Sequence, residues 1–335
     1  MPSASPSRPG AGRPGASREG FQDALEQQLE RGDCLRQGHH RGRFAPSPSG
    51  DLHLGNLRTA LLSWLQTRLS GGEWLLRFDD LDTPRNRSGA CEAIEADLGW
   101  LGLDWDGPAL FQSERRSLYD AALARLRSSG QLYPCHCSRR MLADLSAPHG
   151  GWSPYPGLCR AVPADWGTKD GRQPSWRLRL APGRLHWPEL VGREAGLDGP
   201  TAVGDVVLRR ADGFVAYHLA TAVDELTLGI STVLRGADLW HSTAPQLAVM
   251  ACLERRPPDY WHVPLWCGPG GERLAKRSAA EGLAGLRAQG LDGPAVIGQL
   301  AASLQLVPVG SRLSALELCE QLSLPLLRER LRQPL

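Results

Sequence analysis

The apolar positions of this 335-residue chain change period several times, and each change marks an element. From Arg41, the stretch GRFAPSPSG predicts a short strand running into a Pro/Gly-rich turn. LHLGNLRTALLSWLQTRLSG then takes helical periodicity, with Leu57, Leu61, Leu62, Trp64 and Leu65 on or near one face. Gly71-Gly72 stops that helix, and EWLLRFDD predicts a second strand. Strand, turn, helix and strand form a βαβ unit, which implies a parallel sheet with a right-handed crossover. Ligands of such sheets bind at the carboxyl ends of the strands, where PSPSGDLHLG and DDLD fall.

Residues 41–131 are therefore expected to form the first half of an α/β core. Residues 132–204 break the rhythm: they are rich in Pro, Gly and Trp and are expected to form an inserted subdomain. The α/β pattern returns over 205–270, in VGDVVLRRADGFVAYHLATAVDEL and STVLRGADL. Residues 271–335 contain three short helical patterns, AAEGLAGLRAQG, PAVIGQLAASLQL and RLSALELCEQLS. Residues 1–40 are expected to be a dispensable, disordered extension with at most a short helix over Phe21–Leu29. Glu19, Asp23, Glu26 and Glu30 argue against a transit peptide, a class poor in acids.

Composition narrows the class of protein. Hydrophobic residues at 41% and charged residues at 22% describe a soluble globular chain. No run of about 18 apolar residues exists to cross a membrane. A net charge of +2 excludes a global basic field, so any RNA surface must be a local patch. Lys169 and Lys276 are the only lysines among 38 basic residues, which marks them as places where a compact, mobile cation is needed. Eight cysteines without an apolar leader point to a cytoplasmic chain with reduced thiols. Cys135, Cys137 and Cys159 then read as zinc ligands, with His136, His149 or Tyr155 as candidates for the fourth.

The chemistry lies in the loops. His53-Leu54-Gly55-Asn56 opens a helix whose N-terminus is an anion site. There Gly55 lets a nucleotide approach the backbone, and His53 can donate to a phosphate. RFAPSPSGDLHLGNLRTAL, with Arg43, Ala45, Pro46, Ser47, Pro48, Gly50, His53 and Gly55, resembles the signature of the glutamyl-tRNA synthetase family. LLRFDDLDTPR, AYHLATAVDEL, VLRGADL and GERLAKRS resemble later segments of that family in the same order, from about residue 41 to 278.

The resemblance implies a Rossmann-like class I synthetase core with parallel sheet, an inserted zinc-containing subdomain and a short C-terminal helical region. It implies ATP with Mg2+, bound through Ala45, Ser47, His53, Gly55, Asn56 and Lys276, with His53 and Lys276 acting on the phosphates. It implies a glutamate pocket of Arg43, Ser47, Asp79, Tyr217 and Arg235, with Arg43 on the γ-carboxylate and Asp79 on the ammonium. It also favours Tyr155 as the fourth zinc ligand beside Cys135, Cys137 and Cys159. Two departures stand out: Asp79 replaces the usual Glu, and Ala275 the usual Ser.

Only 59 residues follow Lys276, too few for a helical anticodon-binding domain. The chain thus resembles the family's shortened paralogues, expected to be monomeric, which place activated glutamate on queuosine at the wobble position of tRNA(Asp). The alternatives are a truncated synthetase charging a tRNA 3′ end, or a non-catalytic tRNA-binding module.

Overall fold

A computed structural model describes residues 18–138, 140–142, 153–191, 195–266 and 282–332. Its centre is a parallel sheet. β1 (Arg41–Phe44) pairs with β2 (Glu73–Phe78), which pairs with β3 (Leu110–Phe111). On the other side of β1 lies β9 (Thr232–Gly236), where the Ser231 N–H donates to the Arg41 carbonyl at 2.9 Å. β10 (Asp259–Val263) then pairs with β9 in parallel. The βαβ expectation holds: α2 (Leu54–Leu69) returns the chain from β1 to β2, α3 (Ala90–Trp100) lies between β2 and β3, and α6 (Thr243–Cys252) between β9 and β10.

Packing explains why α2 carries so few exposed positions. One side rests on the sheet, where Gly42 is required because a Cβ would stand 1.9 Å from Thr67 Oγ1. The C-terminal helices α7 (Leu283–Ala288), α8 (Gly293–Ala302), α9 (Ala315–Gln321) and α10 (Leu324–Arg332) complete its burial. Leu57, Leu61, Leu62, Trp64 and Leu65 of α2 share one apolar cluster with Val296, Ile297, Leu300, Leu318 and Leu327. No described helix is long and apolar enough to cross a membrane.

The N-terminal expectation needs correction. Residues 18–38 are not a disordered extension but form α1 (Arg18–Gly38), a 21-residue helix. Leu25 and Leu29, four positions apart and fully buried, pack into the second core cluster with α4 (Arg116–Ser128) and α5 (Tyr217–Thr227). The polar face misleads: Glu26 and Asp33 are paired with Arg125 and Arg255 rather than loosely solvated.

The inserted subdomain also extends further than expected. β4 (Leu132–Cys135), β5 (Ser175–Leu178) and β8 (Val207–Arg209) form an antiparallel sheet, so β8 belongs to the insertion rather than to the returning core. Asp212-Gly213 turns the chain after β8, with Gly213 at φ +88°, and α5 begins the second half of the core. A second hairpin, β6 (Arg184–Trp187) with β7 (Ala195–Asp198), sends residues 188–190 along the free edge of β10. There Tyr260 N–H bonds to Pro188 O, and Leu190 N–H to Tyr260 O.

Candidate active site

A cleft of about 510 Å³ opens at the carboxyl ends of β1, β2 and β9. Arg43, Ala45, Ser47, His53, Gly55, Asn56, Asp79, Tyr217 and Arg235 all line it, although the sequence spreads them over nearly 200 positions. Lys276 and Ala275 lie outside the described residues, as does His149. Asp80 does not join the cleft lining: its carboxylate accepts from the Ser113 N–H at 2.8 Å and from the Ser113 hydroxyl.

His53 is the N-cap of α2, in extended backbone geometry at φ −84° and ψ 163°. Its Nδ1 accepts from the Asn56 N–H at 3.2 Å, which leaves the proton on Nε2, where it can be donated outward. Burial lowers the imidazole's pKa, against Asp238, and favours this neutral form. Gly55 has a local role too, since a Cβ there would stand 3.1 Å from the His53 ring.

Below the cleft floor lies a buried ionic network. Arg43 Nε donates to Glu225 Oε1 at 2.8 Å, and its Nη1 to the Leu234 carbonyl at 3.1 Å. Arg77 donates through Nε to Asp79 Oδ1 at 2.8 Å and also meets Asp224 and Glu225. Asp224, fully buried on α5, further accepts from Gln112, Arg115 and Tyr119. Three guanidiniums therefore face three carboxylates, and the formal charges cancel. Burial pushes the Glu225 carboxyl up, but Arg43 and Arg77 outweigh it and hold the pKa below the ordinary value. Asp79 goes the other way. Burial raises its pKa to about 6, with Arg77 opposing and Asp224 reinforcing the rise.

Arg235 stands apart from this network. Its side chain is 3% exposed, and its donors go to neutral acceptors: His262 Nε2 at 3.1 Å, Gln246 Oε1 at 2.9 Å and Thr243 Oγ1 at 2.8 Å. Among the described residues, no carboxylate comes within ion-pairing distance of it. Arg235 is thus a buried cation of the cleft held, among the described residues, by neutral acceptors alone.

Arg77, Asp224 and Glu225 were not anticipated as parts of the site. Their signal was charge inside an apolar run: Arg77 within EWLLRF, and Asp224-Glu225 within LATAVDELTL. Glu189 and His262 carried no comparable signal.

The cysteine cluster lies in the insertion, outside the cleft. The thiols of Cys135, Cys137 and Cys159 lie within 4.8 Å of one another. The Tyr155 hydroxyl is 3.4 Å from both Cys135 Sγ and Cys137 Sγ and accepts from the Cys159 N–H at 2.9 Å. Gly204, at φ +71°, permits this approach, because a Cβ would stand 2.4 Å from Tyr155 N. His136 turns outward to the Asp165 carbonyl at 3.0 Å, away from the thiols. About 2.3 Å from each sulfur to a central zinc gives tetrahedral edges of about 3.8 Å, close to the 3.6 Å between Cys137 and Cys159.

The family described as tRNA synthetases class I (E and Q), catalytic domain, matches residues 40–294, and the chain belongs to it. It is accordingly a ligase. Among its relatives is a protein of Prochlorococcus marinus (strain MIT 9303) named glutamyl-Q tRNA(Asp) synthetase, 56% identical over 300 residues. That match covers 90% of this chain and 93% of the relative. A protein of the same name from Parasynechococcus marenigrum (strain WH8102) is 55% identical, covering 90% and 96% of the two chains. A solved glutamate tRNA ligase from Elizabethkingia meningosepticum, in complex with its amino acid, superposes with a TM-score of 0.71 at 25% identity. That match covers 86% of this chain and 65% of the solved one. The family resemblance drawn from RFAPSPSGDLHLG and the later segments is borne out.

Proposed function

We propose that the chain activates glutamate with ATP and transfers it to queuosine at the wobble position of tRNA(Asp). The observation that carries the amino-acid half is Arg235, a buried cation with neutral partners in a cleft where Arg43 and Arg77 already face carboxylates. Such a site favours an acidic side chain over its neutral amide by charge as well as shape. The resemblance pointed to Arg43 for the γ-carboxylate, but Glu225 and the Leu234 carbonyl already engage it, so Arg235 takes the main role and Arg43 contributes its remaining donors. Asp79 takes the ammonium, while Ser47 and Tyr217 line the pocket.

In the first step an oxygen of the glutamate α-carboxylate attacks the α-phosphorus of ATP, and pyrophosphate leaves. The carboxylate is already ionised, so no general base is needed and the protein supplies position and charge. The α2 N-terminus, the His53 Nε2–H and Lys276 are assigned to the phosphates, with Ala45, Gly55 and Asn56 along the nucleotide. Mg2+ accompanies ATP and neutralises phosphate charge. In the second step a hydroxyl of the cyclopentenediol attacks the activated carbonyl and gives its proton to the departing phosphate, while AMP leaves with the bonding pair. Cys135, Cys137, Tyr155 and Cys159 would hold one structural zinc, which closes the insertion and takes no part in either step.

Support for the acceptor comes from the relatives' name and their high identity over most of their length. The test is incubation with ATP, labelled glutamate and tRNA that contains or lacks queuosine, followed by nuclease mapping. Label in the anticodon fragment of the queuosine-containing tRNA alone is expected. Label on a 3′-terminal adenosine would favour the truncated-synthetase alternative.

A further inference from the structure

Arg235 raises a physical question that substrate binding alone does not answer. A buried guanidinium is costly unless its donors are satisfied, and the usual solution is a carboxylate partner. Here that partner is missing among the described residues, and three neutral acceptors stand in its place. One of them, His262 Nε2, accepts only if the imidazole proton is on Nδ1. Glu189, from the inserted subdomain, provides for that. One carboxylate oxygen accepts the His262 backbone N–H at 3.0 Å, and the other hydrogen-bonds His262 Nδ1. Both side chains are buried, at 2% and 3% exposure, and the Tyr260 ring stacks parallel to His262 while lying beneath Arg235.

We propose that Glu189, His262 and Gln246 are positioning residues that hold Arg235 in one orientation while leaving its charge uncancelled for the substrate carboxylate. They touch no reacting atom. Glu189 fixes the His262 tautomer, His262 fixes the Arg235 Nε edge, and Gln246 holds Nη1 through an uncharged oxygen. Had the chain placed Glu at 246 the cation would be equally well anchored but already neutralised. This inference rests on the assignment of Arg235 to the glutamate carboxylate.

Two near-isosteric variants separate positioning from mere packing, read by glutamate and ATP KM in ATP–pyrophosphate exchange together with melting temperature. In Glu189→Gln, the amide cannot accept both the His262 backbone N–H and Nδ1–H. One contact fails, or the imidazole proton moves to Nε2 and opposes the Arg235 Nε–H. In Gln246→Glu, a buried amide nitrogen with no hydrogen-bond partner becomes a carboxylate oxygen beside a cation. That change should hold or raise the melting temperature while weakening glutamate binding. Each variant is expected to raise glutamate KM about tenfold or more with ATP KM within about twofold.

Arg235→Lys, measured in parallel, tests the underlying assignment. If it raises glutamate KM but Glu189→Gln and Gln246→Glu do not, the positioning proposal is overturned and the Arg235 assignment stands. If Arg235→Lys also leaves glutamate KM unchanged, both are overturned. Equal rises in both KM values that track a lost melting temperature would reduce the relay to packing. Should Glu189→Gln fail to fold, Gln246→Glu decides alone.

Discussion

Asp79 stands where the family resemblance led to the expectation of a Glu, one methylene longer, and its surroundings define what that change does. Both its oxygens face Arg77, its backbone N–H bonds the Pro46 carbonyl, and burial lifts its pKa to about 6. An ammonium contact requires the ionised form, which predominates above that pKa. Glutamate KM is therefore expected to rise as pH falls through about 6, by up to tenfold per unit below it. Asp79→Asn should raise KM at neutral pH and flatten this dependence. A wild-type glutamate KM that stays constant from pH 7 to pH 5 would remove Asp79 from the ammonium role.

The same neighbourhood shows what a sequence discloses at this scale. His53, Gly55, Asn56, Ser47 and Arg43 were legible because a short loop and the helix it opens carry them together. Which arginine keeps a free charge was not legible. That depends on Glu225, 182 positions from Arg43, and on His262, 27 positions from Arg235. Only the folded sheet decides which cation meets which carboxylate.

At the scale of elements, α1 carries the largest revision. Two glycines fit it against the end of α5. A Cβ at Gly32 would stand 1.9 Å from the Leu226 carbonyl oxygen, and one at Gly229 would stand 2.7 Å from Gly32 O. Arg36 of α1 reaches the backbone carbonyl of Glu225, whose side chain anchors Arg43. Gly32→Leu should pry α1 from α5 and expose Leu25 and Leu29, costing about 3 kcal/mol at about 1.5 kcal/mol per leucine. Urea unfolding checks this, and a loss below about 0.5 kcal/mol would mean that α1 adds little to stability. A short helix over Phe21–Leu29 was legible in the sequence, but its full length and its place in the core were not, because these come from the packing of Leu25 and Leu29. By contrast, the long apolar face of α2 and the glycines after it announced themselves.

At the scale of the whole molecule, the insertion is a second antiparallel body built onto a parallel core, and one strip of it runs behind the site. Residues 188–190 extend the sheet beside β10 and bring Glu189 to His262. Its cysteine pattern was visible in sequence, and so was its approximate start. Its end was not, since β8 reads equally well as a core strand until its partner β5 is known. If zinc holds the cluster, purified protein should contain about one equivalent, and Cys159→Ser should lose both the metal and several degrees of melting temperature. Less than a few tenths of an equivalent in wild-type protein would exclude a zinc site.

Glutamate-dependent ATP–pyrophosphate exchange, measured without tRNA, bears most directly on an uncancelled Arg235 as the mark of an acidic substrate. Exchange with glutamate is expected, together with at least about a hundredfold lower kcat/KM for glutamine, which lacks the charge Arg235 awaits. Equal exchange with glutamine, or none with either amino acid at saturation, would contradict the assignment of this cleft to glutamate.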